Sequence, residues 1–290
     1  MSQAQLLIDC QCGLGEGPFW HPDRQELFWF DIDAQRLFAA DENGEIRNSW
    51  AFPESAAAAA IIDADTLAIA TETGLKRLDL KSGEISLIVE IEADDPKNRA
   101  NDSRVHPSGA FWIGTMRKEE DAAAGNVYHY RAGAVNRIIS NVKIPNATCF
   151  TPDGTRAYFA DTPTGRIMTT ETDPDTGMPT GEWKEFADCR DHRGSPDGAV
   201  VDSEGYVWSA RWGGHCVVRH APDGSVDRIV EVPASQVTCP AFGGKDLKTL
   251  YVTTARKTLS DEQMAAEPHA GGIFAINVDV AGQTEPRLAL

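Results

Sequence analysis

The chain has 290 residues, a formal net charge of −17 and 41% hydrophobic residues. That apolar content is enough for a full core and excludes a disordered chain, and the length suits one large all-β domain or two ordinary ones. The acidity, with no basic run to offset it, excludes nucleic acid and anionic membrane as partners, and no apolar stretch approaches the ~18–20 residues of a spanning helix.

The first ten residues, MSQAQLLIDC, lack the basic start and apolar core of a secretory leader, so a cytoplasmic protein is expected. None of the six cysteines forms a CxxC pair, and free buried thiols in a reducing compartment are expected. Cys10 and Cys12 would point the same way along a strand. Residues 6–9 are apolar and read as a strand. PDRQELFWFDID (22–33) then joins a turn to an apolar strand, and this half-unit recurs along the chain. DADTLAIATETG (63–74) is a weak copy and SGAFWIGT (108–115) a clear one. IPNATCFTPDGTRAYFAD (144–161) carries the whole unit, a buried strand, a Pro-Asp-Gly turn and a second strand. SEGYVWSA (203–210) and, more loosely, GKDLKTLYVTT (244–254) complete six copies at a spacing of roughly 40 to 50 residues.

Several short strands per unit at that period predict a β-propeller of six four-stranded blades. In the fourth unit the strands are expected near 147–151, 156–160, 165–170 and 183–186. Asn43-Gly44, Ser82-Gly83 and Pro222-Asp223-Gly224 supply turns between strands. One short helical turn is expected near 259–267, entered through Ser260 and Asp261 and ended by Pro268. GGIFAINVDV (271–280) reads as a strand, and pairing of the N-terminal strand with it would close the ring and remove its edges. The whole of 1–290 is then expected to form a single propeller domain.

Counting eight residues back from the end of each turn reaches Glu16, Asn101, Asn146 and Asp197 in four copies. The two weaker copies give Ala57 and Cys239. The first strand of a propeller blade lines the central channel, so the four oxygen-bearing side chains should converge at its mouth. Carboxylates and amide oxygens without His or Cys form a hard-oxygen set suited to Ca²⁺, Mg²⁺ or Mn²⁺, with Zn²⁺ possible in a catalytic setting.

LGEGPFW, NRANDSRVHPSG, FWIGTM, the strand containing Asn146 and SPDGAVVDSEGYVW together resemble the SMP-30/gluconolactonase family, which includes regucalcin and bacterial sugar lactonases. FGGKDLKTLYVTTAR and AGGIFAINVDVAG resemble its C-terminal blades. The resemblance implies a six-bladed propeller and metal-dependent hydrolysis of aldonolactones. It implies one divalent metal ion held by Glu16, Asn146 and Asp197, with Asp197 also the acid/base. It places Arg99 and Asn101 on the substrate, together with a glutamate after GTM that falls at Glu119 or Glu120. Relatives often carry Asn-Gly where this chain has Asn146-Ala147. A metal-dependent lactonase acting on an aldono- or aldarolactone in carbohydrate catabolism follows, with a regucalcin-like calcium- or sugar-binding propeller without turnover as the alternative. The partner is a small sugar lactone, and the chain is expected to act as a monomer or weak oligomer because the site forms within it.

Other readings are weaker. Glu16 and Asp197 could cap turns, Asn101 and Asn146 could bond backbone between blades, and Asp102 could share the role of Asn101. Arg99 could lie on the surface. His21 and His106, each before a proline, are expected to be structural. Asp173-x-Asp175-x-Gly177 lacks the full twelve-residue calcium loop and reads as a hairpin tip. Arg117 could add affinity for a substrate carboxylate, and Trp208, Arg211 and Trp212 could line the mouth or pack between blades. A protein-interaction scaffold gives no reason for polar residues at one offset in four blades.

Overall fold

A computed structural model describes residues 2–190 and 193–290, and they form six antiparallel sheets arranged as blades of a propeller. The innermost strands, in chain order, are Gly15–His21, Ala56–Asp63, Asn98–Val105, Pro145–Phe150, Ser195–Val201 and Val237–Gly243. Each packs against the next, and the sixth packs against the first. The fourth blade, Pro145–Phe150, Arg156–Asp161, Arg166–Glu171 and Lys184–Asp188, matches the expected strands to within two residues. Ring closure is as expected: Gln5–Ile8 pairs antiparallel with Ile273–Asn277 and becomes the outer strand of the sixth blade. An unanticipated strand, Ser2–Gln3, adds parallel to Val226–Glu231 at the edge of the fifth blade. The helical turn is Asp261–Ala266, with Ser260 and Gln263 forming a reciprocal capping box.

Apolar residues on both faces of the strands explain why blades stack rather than stand alone. Trp20 of the first blade stacks on Tyr251 of the sixth at 5.9 Å. Trp112 of the third meets Phe150 of the fourth edge-on at 5.1 Å. Trp208 of the fifth meets Phe242 of the sixth at 5.7 Å. Such pairs contribute about 0.5–1.5 kcal/mol each beyond the area they bury. His21 and His106 bind backbone of the following blade, at Asp63 O (3.3 Å) and Gly154 O (2.9 Å), which is the structural use expected of them. Asp173 Oδ1 accepts the amides of Asp175 and Thr176 in a turn, so that motif is a hairpin tip.

The C-terminal tail crosses the end of the channel where the inner turns lie. Gly282 N donates to Leu247 O of the sixth blade, and Gln283 Nε2 to Val201 O of the fifth and Phe150 O of the fourth. Ala289 N reaches Gly109 O of the third and Leu288 N reaches Ile61 O of the second. Glu285 pairs at 2.8 Å with Arg104, which stands inside the channel. The tail thus covers the floor of the channel, leaving a small cavity beside Arg104 and Glu285, and the opposite mouth opens into a second cavity.

Candidate active site

All six inner strands carry a register shift in the same layer. The shifts fall between Glu16 and Phe19, Ala56 and Ala58, Ala100 and Ser103, Asn146 and Cys149, Pro196 and Ala199, and Val237 and Cys239. A β-bulge bends a strand and re-aims one side chain. Glu16 and Asn146 are the last paired residues before their bulges, whereas Asn101 and Asp197 are the first residues within theirs. The residues after Glu16 and Asn146 are left-handed, Gly17 at φ 53° and Ala147 at φ 53°. A Cβ on Gly17 would lie 2.3 Å from Ala57 O, so glycine is required there. Ala147 holds the same backbone conformation at the strain cost of a Cβ. In the sixth blade the bulge residue is Thr238; Cys239, given by the eight-residue count, is one position too far.

The four oxygen-bearing side chains converge as expected. Glu16, Asn101, Asn146 and Asp197 line one cavity of about 130 Å³, with Arg99, Glu120, Lys257, Thr162 and an apolar wall of Leu14, Met116, Ile144 and Trp212. All four are at most 6% exposed. A chain of hydrogen bonds across three blades fixes Asn101 and Asn146 and ends on the backbone beside Asp197. Arg99 Nη1 donates to Asn101 Oδ1 (2.7 Å), and Asn101 Nδ2 donates to Pro145 O (2.8 Å) and to Asn146 Oδ1 (3.3 Å). Asn146 Nδ2 donates to Thr162 Oγ1 (2.8 Å), which donates to Pro196 O (2.9 Å) beside Asp197. Because Thr162 spends its proton on Pro196, its oxygen must accept, and this sets the amide of Asn146 with Oδ1 on the side of Asn101.

The two acids are held differently. Glu16 Oε2 accepts the Gly17 amide (2.9 Å) and Asp197 Oδ1 the Gly198 amide (3.0 Å). Each keeps a second oxygen without a hydrogen-bond partner among the described residues. Burial pushes Glu16 up to about 8, and the charge of Asp102 adds to this. Asp197 is pushed well above its usual range by burial and then by Glu16. Burial lowers Arg99, an effect partly offset by Glu120 and then by Glu16. Two buried carboxyls, each raised by burial and by a neighbouring negative charge, with an oriented amide oxygen beside them, make a donor set that fits a divalent cation. Among the described residues no three His, Cys, Asp or Glu side chains stand close enough to hold a metal ion together, and the third hard donor here is the amide of Asn146.

Several alternatives are now separated. Arg99 is buried, so it is no surface arginine. Asp102 does not line the cavity; its Oδ2 accepts the Thr148 amide at 2.7 Å, deeper in the channel. Glu119 is exposed, and Glu120 is the glutamate at the cavity. Arg117 does not face the cavity but is held by both oxygens of Asp95 at 3.2 Å. Trp208 is fully buried with Nε1 on Asp202 (2.8 Å), and Arg211 is buried against His220, so only Trp212 of that trio lines the mouth. Lys257 was not among the residues expected at the site. It lies in a turn just after the sixth-blade strand Thr249–Thr254, and its Nζ meets Glu120 Oε1 of the third blade at 3.3 Å. Third and sixth blades face each other in a six-membered ring, so this pair spans the mouth. Glu120 (φ 55°) and Thr258 (φ 67°), the residue after Lys257, both hold left-handed backbone. Strain of this kind persists where surrounding structure enforces it.

The SMP-30/gluconolactonase/LRE-like region model matches residues 14–256. The chain is 38% identical to L-arabinolactonase of Azospirillum brasilense, over 99% of this chain and 96% of that one. It is 34% identical to 6-deoxy-6-sulfogluconolactonase of Pseudomonas putida, over 95% of each. A crystal structure of a calcium-binding protein, regucalcin, from Agrobacterium tumefaciens superposes with a TM-score of 0.97 at 40% identity, over 100% of this chain and 98% of that one.

Proposed function

The chain belongs to the SMP-30/gluconolactonase family, and on that premise we propose that it is a metal-dependent lactonase opening a sugar lactone, an aldono- or aldarolactone, to its acid. The observation that carries the reading is the meeting of Glu16, Asn101, Asn146 and Asp197, from four blades, in one cavity beside Arg99. The lactonase names of relatives that match over nearly the whole chain support the reaction class.

Glu16, Asn146 and Asp197 would hold the divalent ion, whose charge polarises a carbonyl and stabilises its developing oxyanion, worth several kcal/mol. Asp197, with one oxygen tied to Gly198, has its other oxygen for a proton. It takes that proton from the attacking water and returns it to the ring oxygen as the ester bond opens, a role that typically contributes ~10²–10⁴-fold. Arg99 and Asn101, locked together at 2.7 Å, orient the carbonyl or sugar hydroxyls. Glu120 and Lys257 accept and donate hydrogen bonds at the far side once their own pair parts. Leu14, Met116, Ile144 and Trp212 exclude bulk water from the reacting atoms.

The test is proton release on a panel of pentono-, hexono- and aldarolactones, after chelation and refilling with Mg²⁺, Ca²⁺, Mn²⁺ or Zn²⁺. Turnover lost on chelation and restored by one ion supports the proposal, and the panel names the substrate. Asp197→Asn should lose at least ~10²-fold in kcat. Binding of ion or sugar with no turnover on any lactone would replace the proposal with a binding propeller.

A further inference from the structure

Cys10 and Cys12 lie where the chain leaves the ring-closing strand Gln5–Ile8 and enters the first blade at Gly15. Side chains two apart in a strand share a face but stand well separated. Here the residue between them, Gln11, adopts φ 54°, and the resulting kink turns the two thiols onto each other. Cys12 Sγ donates to Cys10 Sγ at 3.4 Å, and Cys10 Sγ donates to Gly271 O at 3.2 Å. The other four cysteines, Cys149, Cys189, Cys216 and Cys239, are buried, and no thiol–thiol contact joins them. Cys10 is partly exposed whereas Cys12 is 1% exposed. Among the described residues the pair has no third ligating side chain in reach, so it is not a metal centre.

We infer that Cys10 and Cys12 form a redox-active dithiol at the ring-closing seam, with Cys10 the attacking sulfur and a low-molecular-weight disulfide such as glutathione disulfide the oxidant. The Cys10 thiolate attacks one sulfur of the oxidant, whose S–S bond breaks and releases the first thiol. Cys12 then gives up its proton and attacks Cys10 sulfur, and the second thiol leaves. Two protons and two electrons pass from the pair to the released thiols, and one intramolecular S–S bond remains. The Cys12 S–H, already donating to Cys10, stabilises the attacking thiolate and lowers its proton affinity. The sulfurs need close by only about 1.4 Å to reach bonding distance.

The place gives the bond a consequence. Cys12 N donates to Gly271 O (2.8 Å), Arg256 N to Cys12 O (3.2 Å) and Lys257 N to Gly13 O (2.9 Å). The new ring would sit in the segment that joins the sixth blade to the first and holds the backbone of Lys257.

The experiment is treatment of the folded full-length protein with glutathione disulfide, an acid quench, alkylation under denaturing conditions, and intact and peptide mass measurement. Neither readout depends on turnover, so the outcome is independent of the lactonase proposal. Loss of two hydrogen atoms, four alkylated thiols and a Cys10–Cys12 cross-link, all reversed by dithiothreitol, is the expected result. Cys12→Ser should instead stop as a single glutathione adduct on Cys10, and Cys10→Ser should react roughly tenfold more slowly or not at all. Six alkylated thiols after treatment, a cross-link elsewhere, or undiminished reaction of Cys10→Ser would overturn the inference.

Discussion

Raising the pH should tighten metal binding at the candidate site, by an amount set by its two buried carboxyls. Burial, helped by Asp102, pushes Glu16 up to about 8, and burial and Glu16 push Asp197 the same way. A carboxyl must be ionised to ligate a cation, so metal entering at neutral pH displaces a proton. One pH unit below the midpoint costs about 1.4 kcal/mol, a factor of ten in affinity, and two units cost about 2.7 kcal/mol. Apparent affinity for Mn²⁺ should therefore rise at least roughly tenfold per unit from about pH 6 to 8, and more steeply where Asp197 gives up a second proton. The same proton governs the metal-free fold. Between the unfolded value of 4.5 and the folded value of about 8, the folded chain binds one more proton than the unfolded chain. Its stability then falls as pH rises, by about 1.4 kcal/mol per unit, with Asp197 acting in the same direction. Chelation should thus lower the melting temperature far more near pH 8 than near pH 5. Titration calorimetry in two buffers of different ionisation heat counts the released protons. Affinity flat across this range with no proton released would mean that the two acids are already ionised, and the argument from burial would fail.

Lys257→Ala should raise KM on sugar lactones several-fold to about tenfold with kcat changed less, whereas Lys257→Arg keeps most affinity; steady-state kinetics on both separates binding from chemistry. Gly198→Ala would set a Cβ 2.4 Å from Cys239 Sγ and 2.6 Å from its Cβ. Overpacking of that kind costs about 1–3 kcal/mol and shifts the strand carrying Asp197, so thermal denaturation and kcat should fall together. Glu285→Gln removes the acid 2.8 Å from the largely buried guanidinium of Arg104. It should destabilise by about 1–3 kcal/mol in chemical denaturation, since Asp102 still faces Arg104, and adding Arg104→Met should recover part of the loss.

The fold was legible because each blade repeats the same turn and strand, and the site because the bulge lies at a nearly fixed distance from that turn. Gly109, Gly154 and Gly205 occupy the left-handed turn position eight residues after Asn101, Asn146 and Asp197. In the first and sixth turns that position is held by Gln25 (φ 53°) and Leu247 (φ 57°). These stand nine residues after Glu16 and Thr238, since 25 − 16 and 247 − 238 both equal nine. The count reached Glu16 because it started from Arg24, one residue early, and it missed Thr238 because no glycine marks the sixth turn. Lys257, Trp212 and the tail were not legible for a different reason. They belong to loops and a terminus with no counterpart in other repeats, and their partners lie across the ring rather than along it.

The two blades whose bulge residues, Ala57 and Thr238, do not line the cavity then acquire a physical role. They are the second and sixth, the neighbours of the first blade, and both act on the strand that carries Glu16. Ala57 O lies where any side chain on Gly17 would stand, so a close backbone approach fixes the strand from one side. Thr238 Oγ1 donates to Gly15 O at 2.5 Å and fixes it from the other. Asn101, Asn146 and Asp197 are held instead by the bonds running from Arg99 through Thr162 to Pro196. Glu16 stands outside that chain, and apart from its own contact with Gly17 its position depends on its backbone alone. Ala57, whose carbonyl fills the space beside Gly17, adds no side chain to the cavity. The asymmetry of the ring, four donors and two backbone braces, is what lets the lone carboxylate of the first blade face Asp197 from a fixed position.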